Sequence, residues 1–173
     1  DGCKRRSRKH AEFFFKKYYG YVMGISVSYA KSRDLAQEIA HDSFLKFFDS
    51  VKKLEETPSI KPWLRRITVN TAIDYYRRNK KFQNHEEADG ETPVFDAEYA
   101  PDQLAYEEIL KLLNQLPDDH QLVFNLYEVE GYSHKEVAER LEITESSSRV
   151  YLTRAKSKLR QLIHIHFKEY AGR

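Results

Sequence analysis

The sequence predicts an all-α fold of two small helical domains joined by an acidic flexible linker, and three observations carry that expectation. Apolar residues recur at three- and four-residue steps through most of the chain, the spacing of amphipathic helices. No convincing run of period-two alternation, the mark of a half-buried strand, interrupts them. Between the two helical halves, residues 84–101 hold six acids, no Lys or Arg, and Gly90, Pro93 and Pro101. A structureless stretch of that length is uncommon inside a compact domain, so it reads as a linker. The expected domains are 11–81 and 102–166, with the linker over 82–101.

Each element follows from its residues. Phe14, Tyr18, Tyr21, Val22, Ile25 and Tyr29 form one helical stripe. Ser32 suits the N-cap of a second helix, whose face runs through Leu35, Ala36, Ile39, Ser43, Phe44, Phe47 and Phe48. Residues 52–59 are polar and turn around Pro58. Pro62 fits the first position of a third helix, because its missing N–H would be unbonded there anyway; Trp63, Leu64, Ile67, Ala72 and Tyr75 continue it to about Asn79. In the second half, Leu104, Ile109, Leu112, Leu113 and Leu116 mark a helix stopped by Pro117. Leu122, Val123, Leu126 and Val129 mark another, stopped at Gly131. Ser133-His134-Lys135-Glu136 is a capping box, in which the Ser oxygen accepts from the Glu amide and the carboxylate accepts from the Ser amide. It opens a short helix with Val137, Ala138 and Leu141 inside. Thr144 caps the last helix, with Val150, Leu152, Ala155 and Leu159.

Composition excludes several classes. The chain has 173 residues, with 29 Lys+Arg against 27 Asp+Glu, so any attraction for a charged polymer must come from where the charges sit. Its 12 Tyr and 10 Phe exclude global disorder. A single Cys excludes an internal disulfide framework and a Cys-based zinc site, and points to a reducing compartment, here the cytoplasm. No apolar run approaches the ~20 residues of a membrane span, so no direct membrane insertion is expected. His164 and His166 stand two apart on a helix and do not face each other, so no metal site is expected there. No nucleophile–base set, catalytic carboxylate pair or phosphate loop can be placed, so neither an enzyme nor a cofactor is expected.

The charges are segregated. Residues 4–17 hold seven Lys/Arg against Glu12, residues 61–81 hold seven against Asp74, and residues 149–160 hold five with no acid. In the last block, the two short helices around Leu141-Glu142-Ile143-Thr144 suggest a helix-turn-helix. Val137, Ala138, Leu141, Ile143 and Val150 are expected to pack them together. That leaves Glu145, Ser146, Ser147, Ser148, Arg149 and Tyr151 on the opening turns of the second helix, where a recognition helix reads base edges. Small hydroxyls permit close approach, Arg149 can bind guanine by a two-pronged hydrogen bond, and Arg154, Lys156, Lys158 and Arg160 would flank the backbone. In the middle block, Trp63, Arg65, Arg66, Asn70, Tyr75, Tyr76, Arg77 and Arg78 mix aromatics, cations and an amide, the chemistry of single-strand binding; Trp63 and Tyr75 also suit a core.

These residues resemble a family. DLAQEIAHDSFLKFF at 34–48 followed by WLRRITVNTAIDY at 63–75 is similar to region 2 of a bacterial sigma factor. Leu116-Pro117, Glu130-Gly131-Tyr132-Ser133 and Glu136-Val137-Ala138 to Arg154-Ala155-Lys156 are similar to region 4. Two regions joined by an acidic linker are the layout of the extracytoplasmic-function (ECF) class of the sigma-70 family, and the resemblance covers about residues 11–162. It implies a transcription initiation factor that directs core RNA polymerase to promoters. Residues 38–51 would dock on the polymerase through Glu38, His41, Asp42, Phe44 and Leu45, with Glu38, His41 and Asp42 as exposed polar positions. Residues 63–78 would melt and read the −10 element through Trp63, Arg65, Arg66, Asn70, Arg77 and Arg78, with Asn70 lining a pocket for a flipped base. Residues 133–153 would read the −35 element as duplex, through Ser146, Ser147, Arg149, Tyr151 and, just beyond, Arg154. The linker would run through the polymerase's RNA exit path. The implied partners are core RNA polymerase, promoter DNA as duplex and melted strand, and an anti-sigma factor. The competing reading is a stand-alone helix-turn-helix regulator, which leaves residues 63–78 idle. Three positions depart from the pattern: Glu142 where the turn often has Gly, Ser146 for a frequent Gly, and Val150 for a frequent polar residue.

Overall fold

The structure, a computed structural model, describes residues 8–51, 59–82 and 101–171, with side chains described for 8–51, 59–80 and 108–165. The turn around Pro58 and residues 83–100 of the expected linker lie outside them. Among the described residues all regular structure is helical, and the chain forms two compact units that divide between Glu91 and Thr92.

The first unit consists of α1 (Arg8–Tyr29), α2 (Arg33–Val51) and α3 (Ile60–Phe82). Ser32 caps α2 as expected: the Leu35 amide donates to its Oγ at 3.2 Å. Helix α3 begins two residues earlier than Pro62, which costs nothing, because first-turn amides have no partner within the helix. The core is aromatic. Phe47, fully buried, stacks on Phe14 at 4.4 Å and meets Trp63 at 4.8 Å, with Val22 and Leu64 closing around them. Ser26, Ser43 and Thr68 are buried among these helices, and each hydroxyl donates to the carbonyl four residues back, so no polar group is stranded by their burial.

The second unit consists of α4 (Pro101–Asn114), α5 (Asp118–Phe124), a π-helical turn (Asn125–Val129), α6 (His134–Leu141) and α7 (Glu145–Ala171). Leu113, Leu116 and Ala155 anchor its core with Phe124 and Leu159; Val137 and Leu141 bury α6. The π turn departs from the sequence expectation. The Glu130 amide donates to the carbonyl of Asn125, five residues back, at 3.0 Å. An α-helix would have kept Val129 on the stripe of Leu122 and Leu126, whereas the wider turn leaves it 55% exposed. Ile109, also assigned to a buried stripe, is exposed on α4. Helix α7 runs on to Ala171, five residues past the expected end of the domain at 166.

Candidate nucleic-acid interface

The helix-turn-helix is built by local bonds. The Ser133 amide donates to Glu136 Oε2 at 2.8 Å and the Glu136 amide donates to Ser133 Oγ at 3.3 Å, closing the capping box. The Ser133 amide, and next the Ser133 hydroxyl donating to the same Oε2 at 2.7 Å, hold the Glu136 carboxyl below its ordinary range. Helix α6 ends on Glu142 with φ 56°, the left-handed geometry that glycine adopts freely, so this departure is a strained turn residue. Thr144 then caps α7, accepting from the Ser147 amide at 3.1 Å.

Ser148 corrects the expected outward row of serines. It is fully buried, and its Oγ lies 2.9 Å from His134 Nδ1, a bond that ties the first helix of the motif to the second. The His134 ring stacks on Tyr127 of the π turn at 4.3 Å, while Glu128 of the same turn pairs with Lys156 of α7 at 2.6 Å. So Lys156, expected to flank a backbone, is engaged by the protein. Burial first, and the charge of Arg149 second, hold His134 below the ordinary histidine range.

Val150 is the second correction. It does not pack the two helices together; it is 44% exposed. At 100° per residue, Ser148, Leu152 and Ala155 face the core, while Ser146, Arg149, Val150, Thr153 and Arg154 share the opposite side. Arg149 pairs with Glu145 at 3.2 Å. Ser146 and Ser147 both lie 2.8 Å from the Thr144 hydroxyl. Tyr151 turns toward His120 of α5, with ring centroids 5.2 Å apart. Burial and, less strongly, the Arg154 charge lower His120 from its ordinary range. Of the expected duplex contacts, Ser146, Arg149 and Arg154 stand together on the outer face; Ser147 and Tyr151 lie half-buried at its edge.

The first unit presents a different surface. Spacings of four and seven put Arg66, Asn70 and Arg77 on one side of α3, with Arg66 exposed and Asn70 and Arg77 half-buried. Trp63 lies half-buried against Phe47, and Arg65 is half-buried as well. Arg78 stands over the Tyr75 ring at 5.2 Å. Tyr75 does not face outward: its hydroxyl donates to Asp42 Oδ2 at 2.8 Å. Burial, that bond, and the charges of Asp42 and Glu38 push its hydroxyl up to about 12. One turn along, Lys46 pairs with Asp74 at 2.8 Å.

Two candidate docking residues on α2 are therefore placed otherwise than expected. Asp42 is half-buried and occupied in joining α2 to α3. Phe44 is 2% exposed, inside the aromatic core rather than on the outer side of α2. Glu38, His41 and Leu45 do share an exposed side of α2, and Leu45 is 63% exposed. Among the described residues no helix is long and apolar enough to cross a membrane.

Known proteins match both units. The family described as Sigma-70 region 2 matches residues 14–82, and Sigma-70, region 4 matches residues 106–159. SigV, an RNA polymerase sigma factor of Bacillus subtilis, is 30% identical over 115 residues, which cover 66% of this chain and 68% of SigV. SigM, an ECF RNA polymerase sigma factor of the same organism, is 25% identical over 86% of this chain and 91% of its own. The chain belongs to the ECF class of the sigma-70 family. RfaY of Xanthomonas campestris pv. campestris, named a probable RNA polymerase sigma factor, is 29% identical over 99% of this chain, but the chain spans only 46% of that longer relative. Among solved structures, the sigma factor RpoE of Bartonella quintana, crystallised with the anti-sigma factor NepR, has the same fold, with a TM-score of 0.57 at 19% identity over 91% of this chain and 98% of that one.

As a sigma factor the protein is a promoter-directing transcription initiation factor, and sigma factors are not enzymes. Among the features that sequence reading missed are the His134–Ser148 bond, the Asp42–Tyr75 bond, the exposure of Val150, and the place of Thr153 beside it. Only Val150 carried a signal, as an apolar residue standing where the family often has a polar one.

Proposed function

We propose that this sigma factor divides promoter recognition between its units, within residues 11–81 and 102–166. Helix α7 reads the −35 element as duplex, with Arg149 at a base edge and Arg154 on the backbone. The outer side of α3 grips the unpaired −10 strand, with Arg66 and Arg77 on phosphates and Asn70 at an extruded base. The exposed side of α2 (Glu38, His41 and Leu45) docks on core RNA polymerase, an apolar side chain rimmed by polar ones, as suits an interface centre. The polymerase supplies all the chemistry, and the protein works in the cytoplasm where the polymerase is. An anti-sigma factor is a further partner that the family suggests.

The observation that supports this division best is the capped helix-turn-helix whose second helix carries Arg149, Arg154, Lys158 and Arg160 on exposed positions, with no acid from 149 to 160. Run-off transcription with core polymerase, with and without the protein, tests it. Transcripts starting at one site, only when the protein is present, are the expected result. Tight promoter binding without any core-dependent transcript would instead identify a stand-alone regulator.

A further inference from the structure

The outer face of α7 carries a small aliphatic patch at its centre. Val150 lies there between Ser146, four residues before it, and Thr153, three after. Packing does not hold it, and a β-branched residue gains nothing from an exposed helical position. Thr153 extends the patch. Its hydroxyl donates to the Arg149 carbonyl at 2.9 Å, which turns the oxygen back to the helix and leaves the γ-methyl as the outward end of the side chain. Arg149, paired with Glu145 at 3.2 Å, and Arg154 flank these methyl groups.

Resting on the reading of α7 as the duplex-reading helix, we propose that Val150 and Thr153 read the 5-methyl group of thymine, so that the upstream promoter element places thymine at one or two neighbouring base pairs beneath them. In the major groove the thymine methyl is the one apolar feature a base pair offers; the other groups there are hydrogen-bond donors and acceptors. Valine has nothing to exchange with those. Thr153 has already given its proton to the backbone, so it cannot donate to a base, and its methyl is the apolar group it offers for contact. Side chains three apart on a helix stand about 5–6 Å apart, and base pairs along one strand are about 3.4 Å apart. The two methyls therefore meet the same base step or the next.

The test removes the methyl and nothing else. Promoter duplexes are selected from a random pool with the full chain bound to core RNA polymerase, and each thymine of the upstream element is then replaced singly by deoxyuridine. The wild-type complex is expected to lose about fourfold in affinity at one or two adjacent positions, the worth of one buried methyl-sized group, and nothing elsewhere. Val150→Ala is expected to bind the thymine and deoxyuridine duplexes alike at the position beneath residue 150. Thr153→Ser, which keeps the hydroxyl, is expected to do so at the neighbouring one. Both sites are exposed, and unchanged helical circular dichroism confirms folding. If the wild type tolerates every deoxyuridine, or if Val150→Ala suffers the same loss as the wild type, the methyl reading is overturned while promoter selection stands. If the complex selects no duplex above the random pool, the assignment of α7 falls and the methyl reading with it.

Discussion

Regions 2 and 4 present their candidate contacts in opposite ways. In region 4 the outward residues are organised within α7 itself: Glu145 pairs with Arg149, and Thr153 bonds the Arg149 carbonyl. The motif is pinned from behind, at His134 and Ser148. In region 2 the corresponding groups are bonded across helices. Tyr75 of α3 holds Asp42 of α2, Asp74 of α3 holds Lys46 of α2, and Trp63 rests on Phe47. A substitution on the outer face of α7 therefore removes a contact and leaves the scaffold alone. A substitution at one of these bridging residues shifts α2 against α3, so at those positions effects on the proposed polymerase contact and on the proposed strand contact will not add.

The comparison breaks most visibly at Phe47, the fully buried ring between Phe14 and Trp63. Phe47→Ala is expected to cost about 3–5 kcal/mol, through lost transfer energy and the cavity left behind. Trp63 is the chain's one tryptophan, so its fluorescence during urea unfolding reports region 2 alone. Region 4, followed by the binding of its duplex element, is expected to survive the substitution. Loss of both together would show that the two regions do not stand as separate packing units.

On α7 the expected losses are smaller and can be told apart by kind. Arg149→Ala should cost about 1–3 kcal/mol against one preferred base pair and relax selection there. Arg154→Ala should weaken all duplexes alike and lower the salt slope by about one unit. Affinities for a panel of single-base variants at several salt concentrations separate these outcomes. An equal loss on every variant for Arg149→Ala would make Arg149 a backbone clamp.

How far the sequence was legible follows the same division. Caps and stripes are local, so Ser32, the Ser133–Glu136 box, Thr144 and the faces of α2 and α3 could be read from spacing alone. Arg149 and Arg154 could be placed together because one helix carries both. What spacing could not show is a bond whose partner lies on another element. Asp42 reads as a surface acid and Phe44 as one face residue among several, and only packing against α3 and α1 decides which is engaged and which is buried. The π turn was hidden because its residues, Asn125 to Val129, have an ordinary helical composition; one wider turn then rotated Val129 outward. Val150 and Ser148 exchanged places against expectation because polarity was used to choose the buried side. His134 satisfies the serine, and Leu152 and Ala155 are the buried apolar residues on that side of α7.

The support shared by α2 and α3 is sharpened by Tyr75→Phe, expected to cost about 1 kcal/mol, the worth of one hydrogen bond, with Asp42 left short of a donor. Its signature lies at high pH. Folding raises the Tyr75 hydroxyl to about 12 from a usual value near 10, so the protonated form is favoured in the native state. The stabilisation is complete below about pH 10 and is lost as pH rises through about 12. The Tyr75→Phe variant should lack that part of the alkaline fall in stability, measured by urea midpoints at pH 8 to 12. An alkaline fall identical to the wild type's would mean that Tyr75 titrates normally and that the bond to Asp42 is not maintained. Glu38→Ala, on the exposed side of α2, should leave the fall in place and change only retention by core polymerase.

The smallest effect lies in the turn between α6 and α7, where region 4 carries the one described non-glycine residue at positive φ, Glu142 at 56°. A residue with a β-carbon costs about 1–2 kcal/mol in this conformation, while glycine gives back about 0.5–1 kcal/mol through its freer unfolded chain. Glu142→Gly should thus stabilise region 4 by up to about 1 kcal/mol, raising its thermal midpoint by a few degrees. The backbone bond that closes the turn, from the Glu142 amide to the Ala138 carbonyl, is available to glycine as well. Glu142→Val, a β-branched residue that resists this geometry, should move the midpoint the other way. Region 2, monitored through Trp63, should shift with neither. A lower midpoint for the glycine variant would mean that the Glu142 side chain holds the turn more strongly than its backbone strains it, and that the departure from glycine is a stabilising contact in this chain.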